Sequence, residues 1–290
     1  MGFLRVARVE VRVARRNGTQ IVPGYVQKIV IENLRISFNI QKSESWGTNT
    51  ANIRIWNLNP DNRNIIKDYG DEVSLFAGYA NQPGEQLLFV GDTTKVSHTF
   101  AQPEIVTSLE CGDGERVLNQ RLISVSFQEK IPIRQVIQSV ANDMDLGIAY
   151  FAPTDNLVFE QGFSFVGMAK NCLDKVTAAL GLQWSVQNKQ LIIIPNNGTT
   201  DRPPYTINAD TGMIGVPERF TYKNKDLFTG GPKTGWRVST VLRPEIVPGD
   251  RVDIQSQKVD MKGPFTVDIA RHDGDTYGDV WRSNFEVVLV

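Results

Sequence analysis

"RVARVEVRVARRNGTQ", residues 5–20, alternates apolar and polar side chains and then turns. Val9, Val11 and Val13 fall on one face and Arg8, Glu10 and Arg12 on the other, the period of two that marks a half-buried β-strand. Asn17-Gly18 follows, a pair suited to the left-handed backbone of a tight hairpin turn. The signature returns at "NLRISFNIQK" (33–42), with Leu34, Ile36, Phe38 and Ile40 inward and Arg35, Ser37, Asn39 and Gln41 outward. "NTANIRIWNLN" (49–59) repeats it after the loop "SESWGT". Strands with one wet face belong to antiparallel sheets.

Working outward, "PDNRNIIKDYG" (60–70) reads as a short helix with Pro60 in its first turn and Gly70 as its stop. Further strands are expected in "EVSLFAGYA" (72–80), "QLLFVGDTTKVSHTF" (86–100) and "EIVTSLECGD" (104–113). Residues 1–112 therefore form a first antiparallel β-barrel or sandwich carrying one helix. Residues 113–130 are expected to supply a strand and connection to a second barrel.

The period then changes. In "IPIRQVIQSVANDMDLG" (131–147), Ile133, Val136, Ile137, Val140 and Met144 share one helical face. "GMAKNCLDKVTAALG" (167–181) is a second amphipathic helix, with Leu173, Val176 and Leu180 on one side and Gly181 as its stop. The hairpin "LQWSVQNKQLIII" (182–194) follows, turning at Asn188-Lys189. Residues 131–200 thus form an α+β middle domain. A polar, proline-rich connection over 196–210 leads to renewed alternation, and residues 201–290 form the second barrel. The fold class is mainly β, two antiparallel β-barrel or sandwich domains flanking a small α+β domain.

Length and composition agree. A chain of 290 residues is long enough for about two domains with real cores. Its 41% hydrophobic and 22% charged content is that of an ordinary globular protein. A net charge of −1 argues against a dedicated nucleic-acid binder. No apolar run approaches the ~20 residues that cross a bilayer, so no membrane insertion is expected. The N-terminal arginines disfavour a signal peptide, and Val6 stands where a myristoylation signal needs Ser or Thr. Two cysteines give no disulfide framework, and Cys172 lies at helical spacing from Met168, Val176 and Ala179, which reads as a buried thiol.

The stretch richest in chemistry is "RHDGDTYGDVW" (271–281). A calcium loop needs oxygen ligands at alternating positions and a bidentate Glu at the twelfth, and Gly274 interrupts that pattern. Zinc needs several His or Cys ligands, but His98 is the only other histidine. The stretch therefore reads as a hairpin loop, with Gly274 and Gly278 relieving backbone strain. "TGGPKTGW" (229–236) lacks the spacing of a phosphate loop, because Pro232 precedes Lys233 and a strand follows. It reads as a flexible assembly loop that includes Lys225, Gly230, Gly231 and Lys233. No nucleophile elbow or metal set appears, so no catalytic, metal or cofactor site is expected. Two alternatives are a cell-wall hydrolase with an unidentified carboxylate pair, and a carbohydrate-binding β-module using Trp46 or Trp281.

Charge is unevenly spread. Residues 1–59 carry nine Lys and Arg against three Glu, while residues 244–290 carry nine acids against five bases. Either these are solvated strand faces, or complementary surfaces that meet between subunits.

The ending "VLRPEIVPGDRVDIQSQ" and "GPFTVDIARHDGDTYGDVWRSNFEV" resembles the C-terminal part of phage baseplate hub proteins, the spike adaptors of contractile-tailed phages and related injection machines. "INADTGMIGVPE" (207–218), "SVSFQEKIPIRQVIQSVANDM" (124–144), "NTANIRIWNLNPDNRNIIK" and "VSLFAGY" resemble other parts of the same family. The resemblance implies a structural virion protein of the tail baseplate, assembled in the host bacterial cytoplasm. It implies a homotrimer whose tube-like barrels join the hexameric tail tube protein to the central spike protein. Tape-measure protein and other baseplate components would be further partners. DNA would pass through the lumen without specific binding, which disfavours a basic lining. Arg5, Arg8, Arg12, Arg15 and Arg16 are accordingly expected at a subunit or partner interface, away from the channel.

Overall fold

A computed structural model describes residues 4–18, 20–44, 49–66, 69–81, 84–114, 118, 121–154, 157–222, 233–261 and 263–290. The first unit contains β1 (Arg5–Asn17), β2 (Gln20–Ile31), β3 (Ile36–Ser43), β4 (Thr50–Trp56), helix α1 (Pro60–Ile65), β5 (Glu72–Tyr79), β6 (Glu85–Ala101) and β7 (Glu104–Gly112). The middle unit contains β8 (Leu122–Phe127), β9 (Ile131–Pro132), α2 (Ile133–Asp143), β10 (Gly147–Phe151), β11 (Val158–Phe159), β12 (Phe163–Met168), α3 (Ala169–Ala178), β13 (Leu182–Gln187) and β14 (Gln190–Pro195). The last unit contains β15 (Tyr205–Ile207), β16 (Met213–Tyr222), β17 (Lys233–Val241), β18 (Arg251–Ile254), β19 (Phe265–Asp275) and β20 (Trp281–Leu289).

The expected alternation holds in β1, β3 and β4. Val9, Val11, Ile36, Ile40, Ile53 and Ile55 are fully enclosed in one apolar core together with Leu75, Phe89 and Leu109. Helix α1 begins as its sequence predicts. The Asn59 side chain accepts the Asn62 N–H at 2.8 Å, and Pro60 loses no useful donor in the first turn. It ends at Ile65, short of Gly70.

The two barrels are not independent sheets. One 13-stranded sheet runs β16-β17-β20-β19-β3-β4-β7-β6-β5-β1-β2, with β18 and β15 branching from β19. The joint is the antiparallel pair β3–β19, from Ile269 opposite Ser43 to Asp275 opposite Ser37. Leu242 and Trp281 reach into the core of the first unit, and Trp281 meets the Phe38 ring edge-on at 5.4 Å between centroids. The last unit keeps its own core around Val238, Phe265, Val267 and Phe285.

The segment 113–130 departs from expectation. β8 pairs with β12 in the middle unit instead of joining the second barrel. Ile123, with Val125 and Phe127, packs on the core shared by Val136, Ile137 and Val140 of α2 and Cys172, Leu173 and Val176 of α3. The β13–β14 side chains Leu182, Trp184, Val186, Leu191 and Ile193 share this core, and the ribbon adds further apolar burial that draws β8 there. The β13–β14 hairpin turns at Asn188 (φ 55°) and Lys189 (φ 59°), the two successive left-handed residues of a tight turn. Cys172 is buried, as its spacing predicts.

Candidate assembly surfaces

Strand pairing lines up the outward residues of the shared sheet in rows. One row crosses five strands as Ser239, Asn284, Arg271, Gln41 and Thr50. A second runs Arg282, Asp273, Asn39, Asn52, Glu110 and Lys95. A third runs Asp275, Ser37, Arg54, Ser108 and Ser97. No apolar side chain lies among these residues, which span both barrels; Val241, opposite Arg282 on β17, ends the second row. Their polar groups bond to one another across the strands: Asn39 Nδ2 donates to Asp273 at 2.6 Å, Ser239 Oγ to Asn284 at 2.7 Å, and Lys95 Nζ to Glu110 at 3.1 Å. Glu286 accepts from Arg237 at 3.1 Å and from Arg271 at 2.8 Å. The sequence showed the alternation in single strands but not this alignment, because register between strands is a tertiary property.

The N-terminal arginines present a different surface. Arg8 and Arg12 do share the outward face of β1, opposite Val9, Val11 and Val13. Their charge is largely answered within the chain. Arg8 pairs with Glu10 and with Glu85 at 2.9 Å, and lies over the Phe76 ring at 4.1 Å. Arg12 pairs with Glu72 at 3.0 Å, and Arg16 with Asp71 at 2.7 Å. Arg5 donates to the carbonyls of Gly278 and Asp279, fastening the β19–β20 turn. Arg15 is exposed. The basic and acidic blocks of the sequence also meet inside one chain: Arg35 grips Asp275 with its shortest contact at 2.8 Å. That pair is a contact between barrels of one subunit, and it arises because β3 and β19 are sheet neighbours.

The 271–281 stretch forms the expected hairpin, with a shorter turn. Strand β19 continues to Asp275, so only residues 276–280 form the turn. Gly274 lies inside the strand, where a Cβ would come 2.3 Å from the Phe38 ring, and Gly278 lies in the turn, where one would come 2.9 Å from Asp275. Close approach, not a left-handed backbone, requires both glycines. Asp275 accepts the Tyr277 and Gly278 N–H groups at 3.0 and 3.1 Å as a turn cap, and with Arg35 these hold its carboxyl below the usual range against the opposing effect of burial. His272 is completely buried, with Nδ1 2.8 Å from Ser283 Oγ. Burial pushes its pKa down to about 3, and the nearby Lys42 ammonium adds to the shift. Lys42 is itself fully buried, and burial lowers it to about 8, with Asp113 partly countering.

Among the described residues no group of three or more His, Cys, Asp or Glu is placed to hold a metal ion. Trp281 is buried against Phe38 and offers no platform for a sugar, which corrects one basis of the carbohydrate-binding alternative. Trp46 lies outside the described residues, as do Lys225, Gly230 and Gly231 of the expected assembly loop. Lys233 does not belong to that loop, because its backbone opens β17 opposite Tyr222. The β16–β17 pairing extends three residues below Trp236, where the sequence placed the start of the strand.

The architecture of two barrels on one sheet with an α+β unit between them is that of tail and injection-machine proteins. A tail protein from Neisseria meningitidis MC58 superimposes with a TM-score of 0.63 at 11% identity, over 97% of this chain and 96% of that one. The 43 kDa tail protein of prophage MuSo2 from Shewanella oneidensis gives 0.63 at 9% identity, over 98% of each chain. The E. coli c3393 protein, a component of the type VI secretion system similar in structure to the T4 bacteriophage tail proteins gp27 and gp5, gives 0.58 at 9% identity, over 88% of this chain and 73% of that one. No curated protein sequence matches. Residues 8–257 match the baseplate hub gp41 family, and the chain belongs to it. It is thus a structural protein of the tail or baseplate of a phage or related injection system.

Proposed function

We propose that three copies form a ring that joins the tail tube to the central spike, with the polar face of the shared sheet as the channel wall. The observation that carries this reading is the set of three polar rows across both barrels. A surface past which DNA and tape-measure protein slide should hold few apolar or phosphate-seeking groups, since each free cation on it adds salt-dependent affinity. Along these rows amides and hydroxyls are mixed with charges; Lys95, Glu110, Arg271 and Asp275 are ion-paired, and Arg54 and Arg282 are the two cations there with no ion pair among the described residues. The outward arginines of β1 lie three strands from β7 along the sheet. The sheet also ends in two strands, β2 and β16, each paired on one side only among the described residues. Such edges pair readily with another chain, and joining them between copies would continue the sheet around a ring. The part is architectural, without catalysis, and assembly takes place in the host cytoplasm.

The test is a variant with Asn39→Lys, Asn52→Lys and Ser108→Lys, all exposed or half-exposed on the wall. It should fold and assemble, and DNA release should slow at 50 mM salt and recover toward wild type at 200 mM. Release at the wild-type rate under both conditions would remove the face from the channel. Light scattering of the hub that reports a single copy when mixed with its spike would remove the ring.

A further inference from the structure

The middle unit meets the two barrels through different chemistry. Against the last barrel, Ile192 and Ile194 of β14 share a small apolar cluster with Val247. Beside it the Thr200 N–H donates to the Gly249 carbonyl at 3.0 Å, and Thr200 Oγ1 to Asp250 at 3.1 Å. Against the first barrel, the tip of the β13–β14 hairpin enters the barrel end through polar groups. The Asp113 carboxylate accepts the main-chain N–H of Asn188 at 2.6 Å and of Lys189 at 2.9 Å. Lys189 Nζ donates to Glu72 at 2.6 Å and to Asp92 at 3.0 Å. Lys42 Nζ donates to Asn188 Oδ1 at 3.1 Å. The apolar cores of the first barrel and the middle unit share no residue among those described.

The joint between the barrels is of the other kind. It combines a continuous ladder of strand pairs with apolar side chains, Leu242 and Trp281, that cross from one unit into the core of the other. Parting such a joint exposes hydrocarbon to water and breaks the sheet. Parting the hairpin tip exposes groups that water can satisfy, so each hydrogen bond lost is largely replaced. The tip is also an interdependent set. Removing Lys189 leaves the buried Asp92 without a cation, while Glu72 keeps Arg12 and Tyr25, so loss of one contact weakens the others.

We propose that the Asn188-Lys189 turn is a releasable latch, and that the middle unit swings from the first barrel about its apolar contact at Ile192, Ile194 and Val247 while the barrels stay joined. Such a device gives the subunit a rigid two-barrel frame and one movable part. It stands independently of the channel reading.

Hydrogen exchange by mass spectrometry, with small-angle scattering, tests it on the full chain as wild type, Lys189→Met and Asp113→Asn. In both variants, exchange of the amides at 187–190 should accelerate by on the order of a hundredfold, as expected for loss of a buried charge partner. The radius of gyration should rise, with α2, α3 and the β3–β19 pairs protected as in wild type. Unchanged protection at the tip in both variants overturns the latch. So does simultaneous loss of protection at the tip and through α2 and α3, because the tip would then be part of the middle unit's own folding.

Discussion

Replacing His272 with Gln should flatten the response of the protein's stability to acid. In the folded chain the ring is enclosed on the inward face of β19, against Ser283 and near the Lys42 ammonium, and its pKa falls to about 3. In the unfolded chain it returns to about 6.5. The folded state therefore binds fewer protons than the unfolded state between those values. Stability is fully present above about pH 6.5 and declines as pH falls, by about 1.4 kcal/mol per unit. From pH 7.5 to pH 4.5 the histidine alone accounts for a loss of up to about 2.7 kcal/mol, because two of those units lie below pH 6.5. Carboxylates held below their usual range, such as Glu10, Glu72 and Asp275, also lose stability in acid, but they do so in both proteins. The quantity to measure is the difference between wild type and His272→Gln in urea unfolding free energy at the two pH values. At pH 7.5 the variant should be the weaker protein, since it disturbs a packed site, and at pH 4.5 that gap should shrink by up to about 2.7 kcal/mol. A gap independent of pH would refute the assignment of a buried neutral ring.

Lys42 should act in the alkaline range with the sign worked the same way. Its folded pKa of about 8 lies below the unfolded value, so wild type should gain up to about 3 kcal/mol relative to Lys42→Met between about pH 8 and pH 10.5, and parallel unfolding curves would contradict this. Phe285→Ala removes a fully enclosed ring from the core of the last barrel and should cost about 3–5 kcal/mol in urea unfolding, so a loss under 1 kcal/mol would show that the core is not packed around it. Reversing Arg8 and Arg12 to Glu should lower the unfolding free energy of the isolated subunit by about 1–2 kcal/mol, because both arginines pair with acids of their own chain at partly exposed sites, and an unchanged value would return them to the role of a pure interface.

Local periodicity in the sequence determined the type of most elements. The alternation in β1, β3 and β4, the helical faces of α2 and α3, and the turn at Asn188-Lys189 are properties of short segments, and each segment carries its own hydrophobic pattern. The resemblance of 207–218 and of the C-terminal stretches to hub proteins was legible for the same reason. What tertiary structure decided is which patterns meet. β8 alternates like any barrel strand, and only the apolar core of the middle unit, with α2 and α3 in it, draws it there. The basic start and acidic end of the chain read either as solvated faces or as surfaces for a partner, and only the β3–β19 pairing shows that Arg35 and Asp275 meet within one chain. His272 looked like part of a loop, and nothing in the strand pattern marked Lys42 as buried, because burial depends on neighbours remote in sequence. The polar rows exist only once eight-residue patterns from separate strands fall into register. A strand's sequence fixes which side chains share a face, but hydrogen bonding to remote strands fixes what that face is next to.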